Sequence, residues 1–180
     1  MRSRQKILDA TVAMVAEQGF GAVNVAAVAT AAGVSRQTVY SIFGTREDLV
    51  SQAMAGLLTE LRAQMDARLA GAETVQEYVV ELIVLGRAQF REHPALTQMM
   101  IAGQGNPIFD ADMMARAKLV GHELHRPLAE RFPQVRDDLD GLMEAVIRMA
   151  MSIVLFDSDL VHSDDDLRRF LARWLAPALP

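Results

Sequence analysis

The chain has 180 residues, of which 51% are hydrophobic and 23% charged, a composition typical of one or two globular domains and not of a disordered protein. It contains no cysteine, which excludes disulfide bonds, thiolate metal sites and a cysteine nucleophile. The net charge of −5 is unevenly distributed, because residues 1–46 carry an excess of basic side chains whereas residues 47–180 are acidic. A basic N-terminal part favours nucleic-acid binding there, since phosphates supply the main attraction for such proteins.

The sequence also bears on the cellular location. The longest uncharged run, residues 18–35, contains three glycines and several polar side chains, so it is too polar to cross a membrane. The first residues run directly into a helical pattern, with no signal-peptide pattern before them. We therefore expect a soluble, cytoplasmic protein with no membrane partner.

Helical periodicity begins at the N-terminus. Apolar side chains at helical spacing between residues 7 and 15 predict a first helix that stops at Gly19. Asn24 is predicted to cap a second, short helix, because a side-chain oxygen at that position accepts a hydrogen bond from a free helix amide. Gly33 is expected to end this helix, since glycine readily adopts a positive φ.

A third short helix follows at once. Ser35 is predicted to cap it, and the helix covers residues 36–43. A break leads to Thr45, which reads as the cap of a long fourth helix from Arg46 to about Leu69. Two short helices joined by the segment AAGVS form a helix-turn-helix, whose second helix presents its positive N-terminal end to phosphates and base edges.

The remaining sequence is also helical, and we find no convincing strand pattern. Further helices are expected to begin near residues 74, 94, 110, 137 and 163, and Ser163 with Asp166 is predicted to cap the last of them. The sequence therefore predicts an all-α protein of about nine helices. We divide it into a helix-turn-helix domain, residues 1–46, and a larger helical domain, residues 47–180.

The stretch AVATAAGVSRQTVYSIFGTREDL, within residues 7–49, resembles the N-terminal domain of the TetR family of bacterial repressors. The turn AAGVS, the Thr38-Val39-Tyr40 triplet and the Arg46-Glu47-Asp48-Leu49 run all lie at the family spacing. The resemblance covers about the first quarter of the chain. It implies DNA binding through the helix-turn-helix and a C-terminal domain that dimerises and holds a small effector.

Roles in DNA binding follow from this resemblance position by position. It implies that Tyr40 donates its hydroxyl to a phosphate, that Thr38 assists it and that Arg46 clamps the DNA backbone. Asn24 caps the second helix on the phosphate side. Ser35 caps the third helix, touches a phosphate, or does both.

Base contacts are assigned to the first turn of the third helix. Arg36 pairs well with guanine and Gln37 with adenine in the major groove, so we expect these two side chains to read the sequence. Arg2 and Arg4, near a flexible terminus, are expected to reach the neighbouring minor groove or the DNA backbone.

The last two long helices contain more apolar residues than one small core obviously needs. We expect them to form a four-helix seam between two chains, because a dimer reads two half-sites about one turn of DNA apart. The alternative is that these residues are simply the core of one chain. The candidate interface residues are Leu142, Ala145, Met149, Ile153, Phe156, Phe170 and Trp174.

We also expect an effector cavity, which the resemblance implies. The eleven methionines of the chain suit the irregular apolar lining of such a cavity. Most methionines at helical spacing are ordinary core residues, and charged side chains on helices are more often solvated. The candidate pocket residues are Tyr78, Leu82, Arg87, Met100, Met114, Lys118, His122, Met143, Ile147 and Met151.

Enzymatic readings are less well supported by the residues. His122 and His125 lie three apart on one helix face and could chelate a metal, but two ligands do not make a site. We predict no metal, no cofactor and no enzymatic activity.

We interpret the sequence as that of a homodimeric repressor that binds a palindromic double-stranded operator and is released by a small apolar or amphipathic effector. Two alternatives stay open: a helix-turn-helix regulator controlled by a protein partner instead of a ligand, and a metal-using all-α enzyme.

Overall fold

A computed structural model describes residues 2–101, 127–156 and 158–180. Every regular element in these ranges is helical and no strand occurs in them, which confirms the all-α prediction. Residues 127–131 are also helical. The α-helices are α1 (Arg2–Gln18), α2 (Val25–Ala32), α3 (Arg36–Phe43), α4 (Arg46–Leu69), α5 (Val75–Glu92), α6 (Pro94–Ile101), α7 (Leu139–Leu155) and α8 (Asp164–Trp174). None of the helices in the described ranges is both long and apolar enough to cross a membrane.

The described residues form two compact units. The N-terminal unit contains residues up to 63 together with 93–101, and the C-terminal unit contains residues 64–92 and the described residues from 127 onward. The division between the units falls within α4, which contributes residues to both. The functional boundary that we expect between residues 46 and 47 stays a prediction.

The core of the N-terminal unit combines residues from α1 to α4 and α6. Ile7 and Val15 of α1 are completely buried, as the helical spacing predicts. Thr11 is buried between them, and its hydroxyl donates a hydrogen bond to the carbonyl of Ile7 at 2.7 Å. This bond satisfies a hydroxyl that would otherwise cost free energy in an apolar core. The other helices add buried apolar side chains, among them Val28, Val39, Phe43, Leu49 and Ala95.

The turn between α2 and α3 has the predicted geometry. Gly33 adopts φ 67° and ψ 38°, the left-handed conformation that costs other residues free energy because of their Cβ atom. The amide of the next residue, Val34, then donates to the carbonyl of Ala29 at 2.9 Å. This bond closes the end of α2 and directs the chain into α3.

The C-terminal unit is built around α5, which packs against α7 and α8. Its core includes the fully buried side chains Val79, Ile83, Leu128, Leu167 and Leu171. α7 begins at Leu139 and not at the predicted Asp137, because Pro133–Asp138 forms a 3₁₀ turn that delays the α-helix. Among the described residues, α5, α7 and α8 follow one another in the predicted order.

The start of α8 has the predicted capping box. The hydroxyl of Ser163 accepts a hydrogen bond from the amide of Asp166 at 3.1 Å, and the carboxylate of Asp166 accepts one from the amide of Ser163 at 3.0 Å. The Ser163 hydroxyl also donates to this carboxylate at 2.9 Å. That hydroxyl is the main cause of a lowered Asp166 pKa, and the amides of Ser163 and His162 and the Arg169 guanidinium lower it further.

Two glycine-to-alanine changes in the N-terminal unit should have opposite effects on stability. Gly33→Ala places a Cβ in a left-handed conformation and should lower the free energy of unfolding by about 1–2 kcal/mol. Gly56→Ala lies in an exposed stretch of α4 where an added Cβ meets no atom within 4 Å, and should raise it by roughly 0.5–1 kcal/mol. Urea unfolding of both variants, followed by circular dichroism, measures the two changes. A stabilised Gly33→Ala variant would contradict the turn geometry.

The capping box predicts a specific pH dependence. Because the pKa of Asp166 is lower in the folded protein, its carboxylate stabilises the fold above the ordinary aspartate pKa of about 3.9 and loses this effect as the pH falls through the folded value. Asp166→Asn should therefore have a lower urea midpoint than the wild type at pH 6. The difference should shrink steadily as the pH falls below about 4. A difference that stays constant over this range would mean that the carboxylate charge is not what stabilises the helix start.

Candidate nucleic-acid interface

The outward face of α3 carries the predicted base-reading residues. Val39 and Phe43 turn inward and are 1% and 5% exposed, so they fix which face of the helix is free. Arg36 and Gln37, in the first turn, are exposed. Tyr40 lies one turn further along and is 54% exposed. The structure thus brings Arg36, Gln37 and Tyr40 to the surface of one short helix.

Ser35 and Thr38 form a hydroxyl pair at the start of α3. The Ser35 hydroxyl accepts from the amide of Thr38 at 3.1 Å, which confirms the predicted cap. The two hydroxyl oxygens lie 2.9 Å apart, and either one can donate to the other. Because this contact uses only one of the two hydroxyl hydrogens, the other remains able to donate to an outside acceptor such as a phosphate oxygen.

The backbone at the start of α3 also offers donors. Within the first turn, the amide of Thr38 is bonded to the Ser35 hydroxyl and the amide of Val39 to the Ser35 carbonyl at 3.2 Å. The first amides of a helix have no carbonyl partner inside it, so those of Arg36 and Gln37 point out of the helix end. Together with the helix dipole, they make this end suitable for an anion.

Asn24 caps α2 as predicted. Its side-chain oxygen accepts from the amide of Ala27 at 2.8 Å, and its side-chain amide donates to the carbonyl of Ala22 at 3.4 Å. The residue is exposed, so its role beside a phosphate stays a prediction.

Arg46 is engaged inside the protein. Its Nε donates to the carbonyl of Val23 at 2.6 Å and its Nη2 donates to the carbonyl of Phe20. Its Nη1 lies 3.3 Å from the Glu47 carboxylate, an exposed contact of little energetic weight. The predicted contact between Arg46 and DNA is untested, but two of the nitrogens in its guanidinium already bind the protein's own backbone.

Arg4, expected to be flexible, is also held. Its Nη2 donates to the side-chain oxygen of Gln52 in α4 at 2.7 Å, and its guanidinium carbon lies 5.5 Å from the centre of the Phe43 ring. Arg4 is nevertheless exposed, as are Arg2 and Lys6 on the same helix. A contact of Arg2 or Arg4 with DNA stays a prediction.

The pocket candidates separate into three groups. Tyr78, Leu82 and Met143 are buried, and the Tyr78 ring packs edge-on against the Phe132 ring with centres 6.2 Å apart. Ile147 and Met151, one and two turns along α7 from Met143, are half-buried. The remaining candidates, apart from Arg87, lie outside the residues whose side chains are described; they are Met100, Met114, Lys118 and His122.

Arg87 is bound to the segment that leads into α8. Its Nη1 donates to Asp164 at 3.3 Å and its Nη2 donates to the carbonyl of Val161 at 3.3 Å. Its side chain is 13% exposed, whereas that of Asp164 is 41% exposed. The guanidinium is therefore engaged with the protein, although Arg87 is one of the candidate pocket residues.

The dimer candidates are mostly at the surface of the C-terminal unit. Phe156 and Trp174 are 59% and 64% exposed. Ala145 is also exposed, and Met149, Ile153 and Phe170 are half-buried. Leu142 differs from the others because it is buried in the core of this unit.

Sequence reasoning missed the contacts that arginines make with distant partners. Arg131 donates from Nη1 to the carbonyl of Leu69 at 3.0 Å, at the end of α4. Arg168 binds Glu81 through Nε at 2.6 Å and Nη2 at 3.1 Å, which raises the pKa of the arginine. The periodicity of a helix does not reveal such partners, because they lie far away in sequence. The described residues contain no group of three side chains able to hold a metal ion, and His122 and His125 lie outside them.

Comparison with known proteins gives a match over the helix-turn-helix. Residues 7–53 match the family described as bacterial regulatory proteins, tetR family. The HTH-type transcriptional repressor KstR of Mycolicibacterium smegmatis is 36% identical over 98 residues, which are 54% of this chain and 48% of that protein. The HTH-type transcriptional regulator AlkX of Mycobacterium tuberculosis is 25% identical over 192 residues, which cover 97% of this chain and 83% of that protein.

Solved structures extend the likeness in fold to nearly the whole chain. A protein from Saccharomonospora viridis, solved in complex with choline, has a TM-score of 0.66 at 16% identity, with 94% of this chain and 93% of that chain covered. At this identity the likeness concerns the fold alone. The curated relatives that are at least 30% identical are matched over 41–48% of their own length, so the chain spans about half of them or slightly less.

The motif residues, the helix-turn-helix that they build and the match over residues 7–53 agree with one another. The solved structures that the chain resembles share its all-helical fold. Residues 7–53 therefore form a helix-turn-helix of the kind described for bacterial regulatory proteins of the tetR family.

Proposed function

We propose that this protein is a DNA-binding transcriptional regulator that reads its operator with α3. The observation that carries the proposal is the exposed face of α3, on which Arg36, Gln37 and Tyr40 stand clear of the core on a helix fixed by buried Val39 and Phe43. The relatives KstR and AlkX are transcription regulators by name, which supports a regulator and not an enzyme. Action on operator DNA in turn places the protein in the cytoplasm.

Each exposed group has a specific role in this proposal. Arg36 and Gln37 read base edges in the major groove, because their side chains match guanine and adenine. The phenolic hydroxyl of Tyr40 and the free hydroxyl hydrogen of the Ser35–Thr38 pair donate to phosphate oxygens. Asn24, at the start of α2, faces the same phosphates and sets the register of residues 2–46, here called the reading head, on the DNA.

We further propose that the protein acts as a homodimer on a palindromic operator. One short reading helix contacts too few base pairs for high specificity, and a two-fold dimer doubles the contacts. Phe156 and Trp174 are large apolar side chains that stay more than half exposed in the single chain. Half-buried Met149, Ile153 and Phe170 extend this surface along α7 and α8.

Repression relieved by a small apolar or amphipathic effector completes the proposal. The relative KstR is named a repressor, and a structural neighbour was solved with choline. In this chain the half-buried Ile147 and Met151 are apolar groups that a ligand would contact. In this mechanism, effector binding displaces α4 and moves α3 away from its half-site, which requires only about 1–3 kcal/mol of coupling.

The second candidate is control by a protein partner. It would be favoured if no compound in a broad ligand screen raised the melting temperature of the protein.

Footprinting tests the central claim. Purified protein is incubated with the DNA upstream of its own gene at physiological salt and with competitor DNA. A protected near-palindrome supports a specific dimeric regulator. Protection of every DNA sequence that weakens as the salt concentration rises would indicate a non-specific binder. The proposal would be overturned if the upstream DNA were not protected and selection from random DNA also recovered no bound sequence.

Two α3 variants should affect binding differently. Tyr40→Phe removes a phosphate donor and should weaken binding to every sequence alike, by roughly 1.5–3 kcal/mol. Gln37→Ala should relax the preference at one base pair of each half-site by about 1–3 kcal/mol and change non-specific binding little. Fluorescence anisotropy at matched salt, with the operator and with single-base variants, measures both. Wild-type behaviour of both variants would show that α3 is not the reading helix.

The proposed dimer surface predicts the effect of a charged substitution. Trp174→Glu should weaken dimerisation by about 30-fold or more, because it removes a large apolar contact and buries a charge. Leu58→Glu is the matched control: it changes another exposed apolar side chain, 39% exposed, in α4. Analytical ultracentrifugation over a concentration series reports both constants. Equal effects of the two changes, or none, would exclude Trp174 from the interface.

A further inference from the structure

The first residue of α4, Arg46, binds the segment of chain that enters α2. Its Nε donates to the carbonyl of Val23 at 2.6 Å, and its Nη2 donates to the carbonyl of Phe20. The side chain is 36% exposed, so it is neither fully buried nor free in solvent. Both acceptors precede Asn24, the residue that caps α2.

The Val23 carbonyl needs this partner. The α2 ladder begins at Asn24, whose carbonyl accepts from the amide of Val28 at 3.1 Å. The carbonyl of Val23 lies one residue outside the ladder, and Val23 itself is only 2% exposed. Buried carbonyls without a donor are costly, so turning the Arg46 guanidinium away would leave this group poorly satisfied.

A second arginine attaches the same end of α4 to another part of the head. Arg4 of α1 donates to Gln52, in the second turn of α4, at 2.7 Å and lies over the ring of Phe43, the last residue of α3. The first two turns of α4 are therefore linked to the start of α2 by Arg46 and, through Arg4, to the end of α3.

We propose that Arg46 is a positioning residue that fixes the α2–α3 pair to the first turns of α4, and that it does not act as a phosphate clamp. This inference rests on the proposed DNA-binding function. Arg46 sets the orientation of the reading helix α3, because its two hydrogen bonds pass a displacement of the α4 N-terminus to the chain that enters α2. The planar guanidinium suits this role, since it donates to both carbonyls from fixed directions, whereas the ammonium of a lysine is a single point charge.

Substitution by lysine and by methionine separates the two roles. A phosphate clamp predicts that Arg46→Lys keeps most of the affinity, whereas Arg46→Met loses it and lowers the slope of log K against log salt by about one. Positioning predicts that both variants lose affinity for the operator, on the order of tenfold, and that Arg46→Lys keeps the wild-type salt slope. Lys6→Met is the control for affinity, because it removes an exposed cation of the same unit that has no assigned DNA contact, and Arg36→Met is the control for hydrogen exchange.

Hydrogen exchange of the DNA-free protein supplies the second measurement. Positioning predicts faster exchange of the amides in residues 20–25 in both Arg46 variants and wild-type exchange in Arg36→Met. A purely structural contact would loosen these amides but leave operator affinity unchanged at temperatures where the variants are folded. That result, or wild-type affinity of Arg46→Lys, would overturn the proposal. If the wild type itself fails to bind DNA, the proposed function fails first, and the inference fails with it.

Discussion

An eight-residue helix is unstable alone in water, and the reading head depends on two of them. Their stability has to come from capped ends and from a shared core. Asn24 and Ser35 cap the starts of α2 and α3, and Gly33 closes the end of α2 in a conformation that glycine adopts without strain. Buried Val28 and Val39 belong to the core that the two helices share. Since the inner face and the ends carry the stability, the outer face of α3 is free to carry the residues that we propose read DNA.

The arginines of the reading head also differ in role, because some contact the protein itself and others do not. Charge alone makes every arginine in residues 1–46 a candidate for a phosphate contact. Arg36 is exposed, whereas Arg46 and Arg4 are bound to the protein's own carbonyls and side chains. In the proposed complex, only a subset of the cations in residues 1–46 is therefore placed for direct contact with DNA, and the others act through the net positive charge of this part of the chain. The rest of the basic charge serves the geometry of the head.

The sequence predicts those features that are decided by neighbouring residues. The caps at Asn24, Ser35 and Ser163 and the turn at Gly33 depend on groups within four residues, and the structure confirms them. Contacts across long separations were not predictable. The acceptors of Arg46 are backbone carbonyls, which every residue has, so no sequence pattern marks them. Leu142 shows the same limit, since helical periodicity identifies an apolar face but not whether it meets the chain's own core or a second chain.

The ends of α4 explain how this long helix can link the reading head to the rest of the chain. Arg46 binds the carbonyls ahead of α2 within the N-terminal unit, and Arg131 binds the carbonyl of Leu69 at the other end of the helix within the C-terminal unit. Hydrogen bonds are directional whereas the hydrophobic effect is not, so each arginine restricts the orientation of the end of α4 that it contacts. If an effector shifts α4, as proposed, the shift would strain the Arg46 bonds or move α2 with the helix. Since α2 and α3 share the turn at Gly33 and a common core, moving α2 moves the reading helix.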